Sequence, residues 1–259
     1  MLNVPRHGSI QIDIGVFGGS GFYELLPGVD EVNVETPFGT PSAPIAIAEV
    51  EGTRIGFMAR HGAKHQHPAH RVNYRANIWA LAHLGATHVL APFACGSLRA
   101  DWVPGDVVVV DQLIDRTTNR ECTFFDGPEV WHQGFADPYD QETGAVIAEV
   151  AQRQGLRVHR GGTVVVISGP RFSTRAESKW HIGMGADLVN MTQYPEAVLA
   201  AEAGMAYSGI GIVTDFDCGI DDDPTIAAVH QDDVFALLAK HASVMRDLIL
   251  ETAPLISVT

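Results

Sequence analysis

The stretch from Asp187 to Asp217 places Asn190-Met191-Thr192 just after one apolar run and Asp215-Phe216-Asp217 just after another. Polar groups that emerge together from the ends of neighbouring buried strands make a pocket in an α/β sheet. Two acids flanking an aromatic, at the end of a strand, can protonate one atom of a flat heterocycle while accepting a hydrogen bond from another. The same residues would also serve as a helix cap or a surface turn.

Other loops with chemical potential also follow apolar runs. In VFGGSGF (Val16–Phe22) the glycines let the backbone approach an anion, and Ser20 adds a hydroxyl donor. The spacing is not the GxGxxG of a dinucleotide-binding oxidoreductase, and Pro27-Gly28 ends any helix within a turn. A tight strand–loop turn is the plainer alternative. In ARHGAKHQHPAHRVNY (Ala59–Tyr74), Arg60 and His61 follow a strand, and an Arg offers a planar, permanently charged fork that suits phosphate. His65, His67 and His70 have spacings found among metal ligands. Pro68 breaks any common helix face, no carboxylate or Cys lies nearby, and Arg60, Lys64 and Arg71 would repel a cation. No metal is expected, and the histidines otherwise read as solvated loop residues.

FACGSL (Phe93–Leu98) has small residues where backbone N–H groups can face a ligand. Nothing in the sequence supplies a base for Cys95, so a buried structural thiol is the expectation rather than a nucleophile. SGPRFSTRAES (Ser168–Ser178) presents Phe172, a candidate stacking platform, beside Ser173, Arg171 and Arg175. The alternative assigns Phe172 to the core and Glu177 to an ion pair. Jointly these loops describe anion-binding turns at several strand ends, with an acid pair and an aromatic for a planar ring. That combination points to cleavage or formation of a bond between a base and a sugar, with phosphate as a participant.

The elements that must position these residues follow from the hydrophobic pattern. Strands are expected at Ile10–Gly18, Ala43–Val50, Thr53–Ala59, Thr87–Phe93, Asp106–Ile114, Thr163–Ser168 and Ala206–Thr214. Helices are expected at Tyr74–Leu84, Glu142–Gln154, Ala176–Gly183, Pro195–Ala203 and Asp232–Glu251, the last with Val234, Leu237, Leu238, His241, Val244, Met245, Leu248 and Ile249 on one face. Several strands are apolar throughout, as when helices cover both faces of a sheet. With no linker, repeat or low-complexity tract, one α/β domain over residues 1–259 (core about 10–256) is the economical reading. Arg116–Asp140 is a long aperiodic segment of the kind that is functional or part of an interface.

Composition sets outer bounds. The 17 Lys and Arg against 31 Asp and Glu give a net charge of −14, which argues against nonspecific binding to nucleic acid or anionic lipid. An anionic ligand therefore needs a local cationic pocket. Three scattered cysteines without a CxxC, no apolar signal-like segment near Met1–Ser9 and no run approaching 18 apolar residues read as a cytoplasmic protein with no membrane partner.

From about Ile12 to Ile256 the chain resembles the trimeric purine nucleoside phosphorylases of the methylthioadenosine phosphorylase type. The resemblance rests on GGSG, TPFGTPS, ARHG, VNYRANIWAL, ACGSL, PGDVVVVDQLIDRTT, GPRFSTRAES, NMT, PEAVLAAEAG and TDFDC, in that order. It implies a mixed central β-sheet flanked by helices, and phosphate binding by Ser20, Arg60, His61, the Phe93-Ala94 backbone and Thr192. It places Met191 under the ribose with Asn190 beside it, Phe172 and Ser173 along the base, Asp215 at purine N7 as the catalytic acid, and Asp217 at the 6-substituent. His132, in VWHQG, matches a residue that reaches a neighbouring subunit's pocket, so a homotrimer is implied. The implied reaction is phosphorolysis of 5′-methylthioadenosine with inorganic phosphate as co-substrate and no metal or organic cofactor. Phe93 stands where Thr is usual, and the chain stops at Thr259 where methylthio-preferring relatives often continue. A broader or 6-oxopurine nucleoside phosphorylase, and more remotely a non-catalytic purine-binding protein, stay open beside it.

Overall fold

A computed structural model of the chain describes residues 1–19, 25–26, 29–218, 220 and 229–257. In chain order its elements are β1 (Ile14–Gly18), β2 (Asp30–Val32), β3 (Ile45–Val50), β4 (Thr53–Ala59), α1 (Tyr74–His83), β5 (His88–Ser97), β6 (Val107–Val109) and β7 (Gln112–Arg116). They continue with α2 (Gln141–Arg153), β8 (Val158–Arg160), β9 (Thr163–Ile167), α3 (Arg175–Gly183), β10 (Leu188–Asn190), α4 (Gln193–Glu202), β11 (Ala206–Asp215) and α5 (Gln231–Thr252). The strands form one mixed sheet, ordered β2-β3-β4-β1-β5-β10-β9-β7, with β11, β6 and β8 extending from the other edge of β5.

Alternation along the strands sends side chains to two cores. Ile14 and Val16 of β1, Leu90 of β5, and Ile210 and Ile212 of β11 pack with Ile147 and Val150 of α2 and Leu248 and Ile249 of α5. Phe17, Val89, Ala91, Tyr207 and Val213 point to the opposite face, against Ile78 and Leu81 of α1 and Leu199 of α4. Covering both faces explains why these strands are apolar throughout. The helix starts are locally encoded. Asn73 and Asp140 accept N-cap bonds from Ala76 and Thr143 N–H, and Thr174 with Glu177 forms a reciprocal capping box on α3.

The expected run Asp106–Ile114 is two strands rather than one. β6 pairs with β11 and β8, whereas β7 pairs with β9. The chain changes neighbours at Asp111, whose N–H donates to Gly162 O and whose carboxylate accepts from Gly162 N–H. The strand expected from Ile10 starts only at Ile14, and β2, β8 and β10, three residues each, escaped a pattern that needs several residues to show. Arg116–Asp140 holds no regular element beyond its first residue. It is anchored by Thr123 Oγ1 and Phe124 N–H donating to Glu202 at 2.6 and 2.7 Å and by Arg120 to the Ser168 carbonyl at 3.0 Å. Among the described residues, no helix is long and apolar enough to cross a membrane.

Strand β5 decides where a ligand can sit. β1 pairs with its beginning, through His88–Leu90, and β10 pairs with its end, at Gly96 and Ser97. β11 runs along the whole opposite edge. Between β1 and β10, the edge of β5 around Pro92–Ala94 has no partner strand among the described residues, and a crevice opens at the strand ends. β11 has no spare volume: a Cβ at Gly209 would lie 2.5 Å from Gln193 Oε1 and 2.7 Å from Val110 Cγ2. Gly209→Ala is expected to destabilise the protein by about 1–3 kcal/mol. Urea unfolding measures it, and an unshifted midpoint would show that the neighbours yield.

Candidate functional site

Arg60, at the end of β4, enters the crevice with 1% of its surface exposed. Its Nε donates to both carboxylate oxygens of Glu196 on α4, at 2.8 and 2.6 Å, and Nη1 donates to the Pro92 carbonyl at 3.0 Å. Among the described residues, Nη2 is buried with no partner. Burial is the largest single influence and pulls the guanidinium's pKa down, but the charge and hydrogen bond of Glu196, with smaller help from Tyr207 and Tyr74, together outweigh it and the net direction is up. Arg60 is thus a fixed cation with one unsatisfied donor at the cavity. Asn190 is the second bridge across the gap in the sheet: its Nδ2 donates to Ala94 O at 2.9 Å. Its Oδ1 accepts from the N–H groups of Thr192 and Gln193 at 2.6 and 2.9 Å. The side chain expected to touch substrate is therefore engaged in holding Thr192 at the start of α4.

His61 Nδ1 sits 2.8 Å from the His67 carbonyl and must carry the proton, which leaves Nε2 as an acceptor. Burial, then the charge of Arg60, hold its pKa down to about 3, so the ring is neutral. His65 stacks on His61 and packs edge-on to Phe235. Of the three histidines whose spacing resembled ligands, His65 packs between these two rings and His67 offers its carbonyl to His61. Phe93 is buried, and a Cβ at Gly211 would lie 3.1 Å from its Cζ, so the ring occupies the notch that Gly211 leaves in β11. The bulk of the Phe93 ring is accommodated in the core.

The acid pair is set by a bulge. The β11–β5 register shifts between Val213 and Asp215, which re-aims the end of the strand. Asp215 Oδ1 accepts from Asp217 N–H at 2.7 Å, an Asx turn that carries Asp217 into a left-handed conformation with φ 51°. Gly96 makes room: a Cβ there would lie 2.8 Å from Asp215 Oδ1 and 3.2 Å from Asp217 Cβ. Thr214 Oγ1 lies 2.7 Å from Asp215 Oδ2 and 3.2 Å from the Cys95 carbonyl. A hydroxyl has one proton, so when it goes to the carbonyl, Asp215 must supply the other. Burial raises the Asp215 carboxyl, the Thr214 and Asp217 donors oppose, and the charge of Asp217 raises it further. Asp217 is likewise raised by burial, with Ser178 as its principal opposing donor. Cys95 is buried and its thiol is pushed well up by burial, as befits an inert core residue.

These groups line one cavity of about 260 Å³. Arg60, His61, Phe93, Ala94 and Thr192 lie on it with Phe172, Ser173, Asn190, Met191, Asp215 and Asp217, so these eleven sequence-derived candidates converge. Met191 approaches Gly169 so closely that a Cβ there would lie 2.5 Å from its sulfur. Ser20 lies outside the described residues. His132 is exposed on the long loop and is not part of this cavity within the chain. Sequence reasoning missed Glu196, Ser178 and the wall formed by Gln231, Val234 and Phe235 of α5. A carboxylate within the apolar run of α4 was the available signal for Glu196.

Residues 13–249 match the sequence profile described as the Phosphorylase superfamily. The chain belongs to that superfamily. A purine nucleoside phosphorylase of Streptomyces coelicolor is 42% identical over 250 residues, covering 93% of this chain and 88% of the relative. An S-methyl-5′-thioadenosine phosphorylase of Mycolicibacterium smegmatis is 47% identical over 247 residues, covering 95% and 92%. The solved structure of methylthioadenosine phosphorylase from Schistosoma mansoni with adenine superposes with a TM-score of 0.89 at 40% identity, covering 95% of this chain and 92% of that one. The fold and phosphorylase membership expected from the motifs are thus borne out.

Within this superfamily member the Arg60–Glu196 pair carries a stability consequence. Glu196→Ala leaves a buried cation unpaired and is expected to cost about 3–5 kcal/mol in denaturant unfolding. It should also raise KM for phosphate. A loss below about 1 kcal/mol, as for an exposed pair, would mean that water reaches Arg60.

Proposed function

We propose that the protein cleaves 5′-methylthioadenosine with inorganic phosphate, giving adenine and 5-methylthioribose 1-phosphate. The observation that carries this is the buried Arg60, whose Nη2 has no partner among the described residues, on the same cavity as the half-buried acid Asp215. An anion at one end and a proton donor at the other suit transfer of a glycosyl group between them. The relatives named S-methyl-5′-thioadenosine phosphorylase support the choice of nucleoside.

Phosphate is held by Arg60, the neutral His61 as acceptor from a phosphate hydroxyl, the Ala94 backbone and Thr192. Its position converts attack on C1′ into an intramolecular event. As the C1′–N9 bond breaks, its electron pair passes into the purine and N7 takes the proton from Asp215. A phosphate oxygen then closes on C1′, and its charge stabilises the oxocarbenium character that develops meanwhile. Asp217 accepts from the 6-amino group, while Phe172 and Met191 provide apolar surface for base and ribose. Each step uses only phosphate, nucleoside and these side chains.

A second reading, phosphorolysis of 6-oxopurine nucleosides, draws on the burial that raises Asp217, since a protonated acid would donate to a 6-carbonyl. The purine nucleoside phosphorylase of Streptomyces coelicolor is consistent with it. The neighbouring subunit's pocket is the proposed destination of His132, in a homotrimer, which the exposure of Val130 and Trp131 beside it supports. A cytoplasmic location fits the free thiols of Cys95, Cys122 and Cys218.

Incubation with methylthioadenosine should release adenine only when phosphate is present. Release without phosphate would indicate a hydrolase, no release a binding protein, and much faster turnover of inosine the second reading. Asp215→Asn should lower kcat/KM by about 10²–10⁴-fold. Because the acid form is required, kcat/KM falls as pH rises through the raised Asp215 pKa, and a rate flat across that limb would remove Asp215 as the acid. His132→Ala should raise KM for methylthioadenosine in a trimer seen by light scattering. A monomer of full activity would refute the shared pocket.

A further inference from the structure

Asp217 is the acid that meets position 6 in the function proposed above, and the following inference rests on that reading. Its Oδ2 accepts a hydrogen bond from Ser178 Oγ at 2.6 Å. Ser178 is fully buried on α3, one turn beyond the N-cap Thr174 and directly after Glu177 of the capping box, so a rigid helix start rather than a loop fixes its hydroxyl. Among the described residues, Asp217 is the only hydrogen-bond partner of that hydroxyl.

Ser178 Oγ donates to that carboxyl oxygen, and such donation favours the carboxylate over the acid. The opposing influence is burial, which pushes the Asp217 carboxyl up; Ser178, Ser173 and His181 draw it down. The balance decides what the pocket can read. A carboxylate accepts from the exocyclic N–H of a 6-aminopurine, whereas a carboxylic acid can donate to the carbonyl of a 6-oxopurine. Both pairings occur in a dry site, where the mismatched one leaves a buried polar group unpaired.

We propose that Ser178 is a specificity-determining positioning residue: its hydroxyl holds Asp217 as an acceptor and so makes the cavity choose a purine with a donor at C6. Ser178 does not line the cavity itself and acts through Asp217. Phe172 and Ser173, on the same loop-to-helix segment, would leave the base free to bind in either case.

The test compares kcat/KM for methylthioadenosine and methylthioinosine at saturating phosphate. It uses wild type, Ser178→Ala, Ser178→Cys, Ser178→Thr and Asp217→Asn. A ratio of two substrates on one preparation does not depend on how much of that preparation is folded. Ser178→Ala should lower the amino-to-oxo ratio by about tenfold, the effect of one charge-assisted hydrogen bond. Ser178→Cys, close in shape but a weaker donor, should fall between, and Ser178→Thr should restore preference. If Asp217→Asn lowers the ratio while the Ala variant stays within about twofold of wild type, the role of Ser178 is overturned and the reading of Asp217 stands. If Ser178→Ala is inactive, a wild-type ratio in Ser178→Cys overturns it equally. An unchanged ratio in Asp217→Asn overturns the assignment of Asp217 itself.

Discussion

A guanidinium that water does not reach organises this protein. Arg60 is tied through Nε to Glu196 and through Nη1 to Pro92, which joins β4, α4 and β5 at one point. Isolated, such a charge would be prohibitively expensive to bury; paired and hydrogen-bonded, it becomes a fixed feature of the interior. The pair does not by itself make the fold stable, since apolar residues of the same shape could fill that space. What it provides is a cation with a defined direction and one donor to spare, in a chain whose overall field repels anions.

The acids are positioned by different means. Among the described residues no salt bridge holds Asp215 or Asp217; a bulge, an Asx turn and a left-handed residue do so, supplemented by two hydroxyls and a backbone N–H. Hydrogen bonds from neutral donors orient a carboxyl without neutralising it. Burial is therefore left free to raise both acids, which suits the proton-donor role proposed for Asp215. The cavity is thereby polarised along its length, cationic where β1 leaves β5 and acidic where β11 ends.

The long apolar runs announced β1, β3, β4, β5, β9 and β11, and the 3.6-residue pattern announced all five helices to within a few residues. Strands of three residues, such as β10, carry too few alternations to register, and their existence depends on neighbours brought in by the tertiary fold. Asp106–Ile114 looks like one strand because nothing local marks the change of partner at Asp111. The site candidates were legible for a similar reason: Arg60, Thr192, Asp215 and Asp217 directly follow strands, where a sheet exposes its polar ends. Glu196 and Ser178 were not legible, because each takes its meaning from a partner far away in sequence, 136 and 39 residues respectively. Phe235 was hidden for want of any local cue that the start of α5 would fold over the crevice.

Gly96 has a consequence for how such a protein could diversify. The acids and Val189 crowd its Cα so tightly that a methyl group there would displace Asp215, the proposed proton donor, before it touched any ligand. Change in substrate range is thereby channelled away from the floor beneath the base and toward the sides, Phe172 and the first turns of α5. A lineage descending from this sequence could acquire new nucleosides by remodelling its walls while its reaction stayed the same.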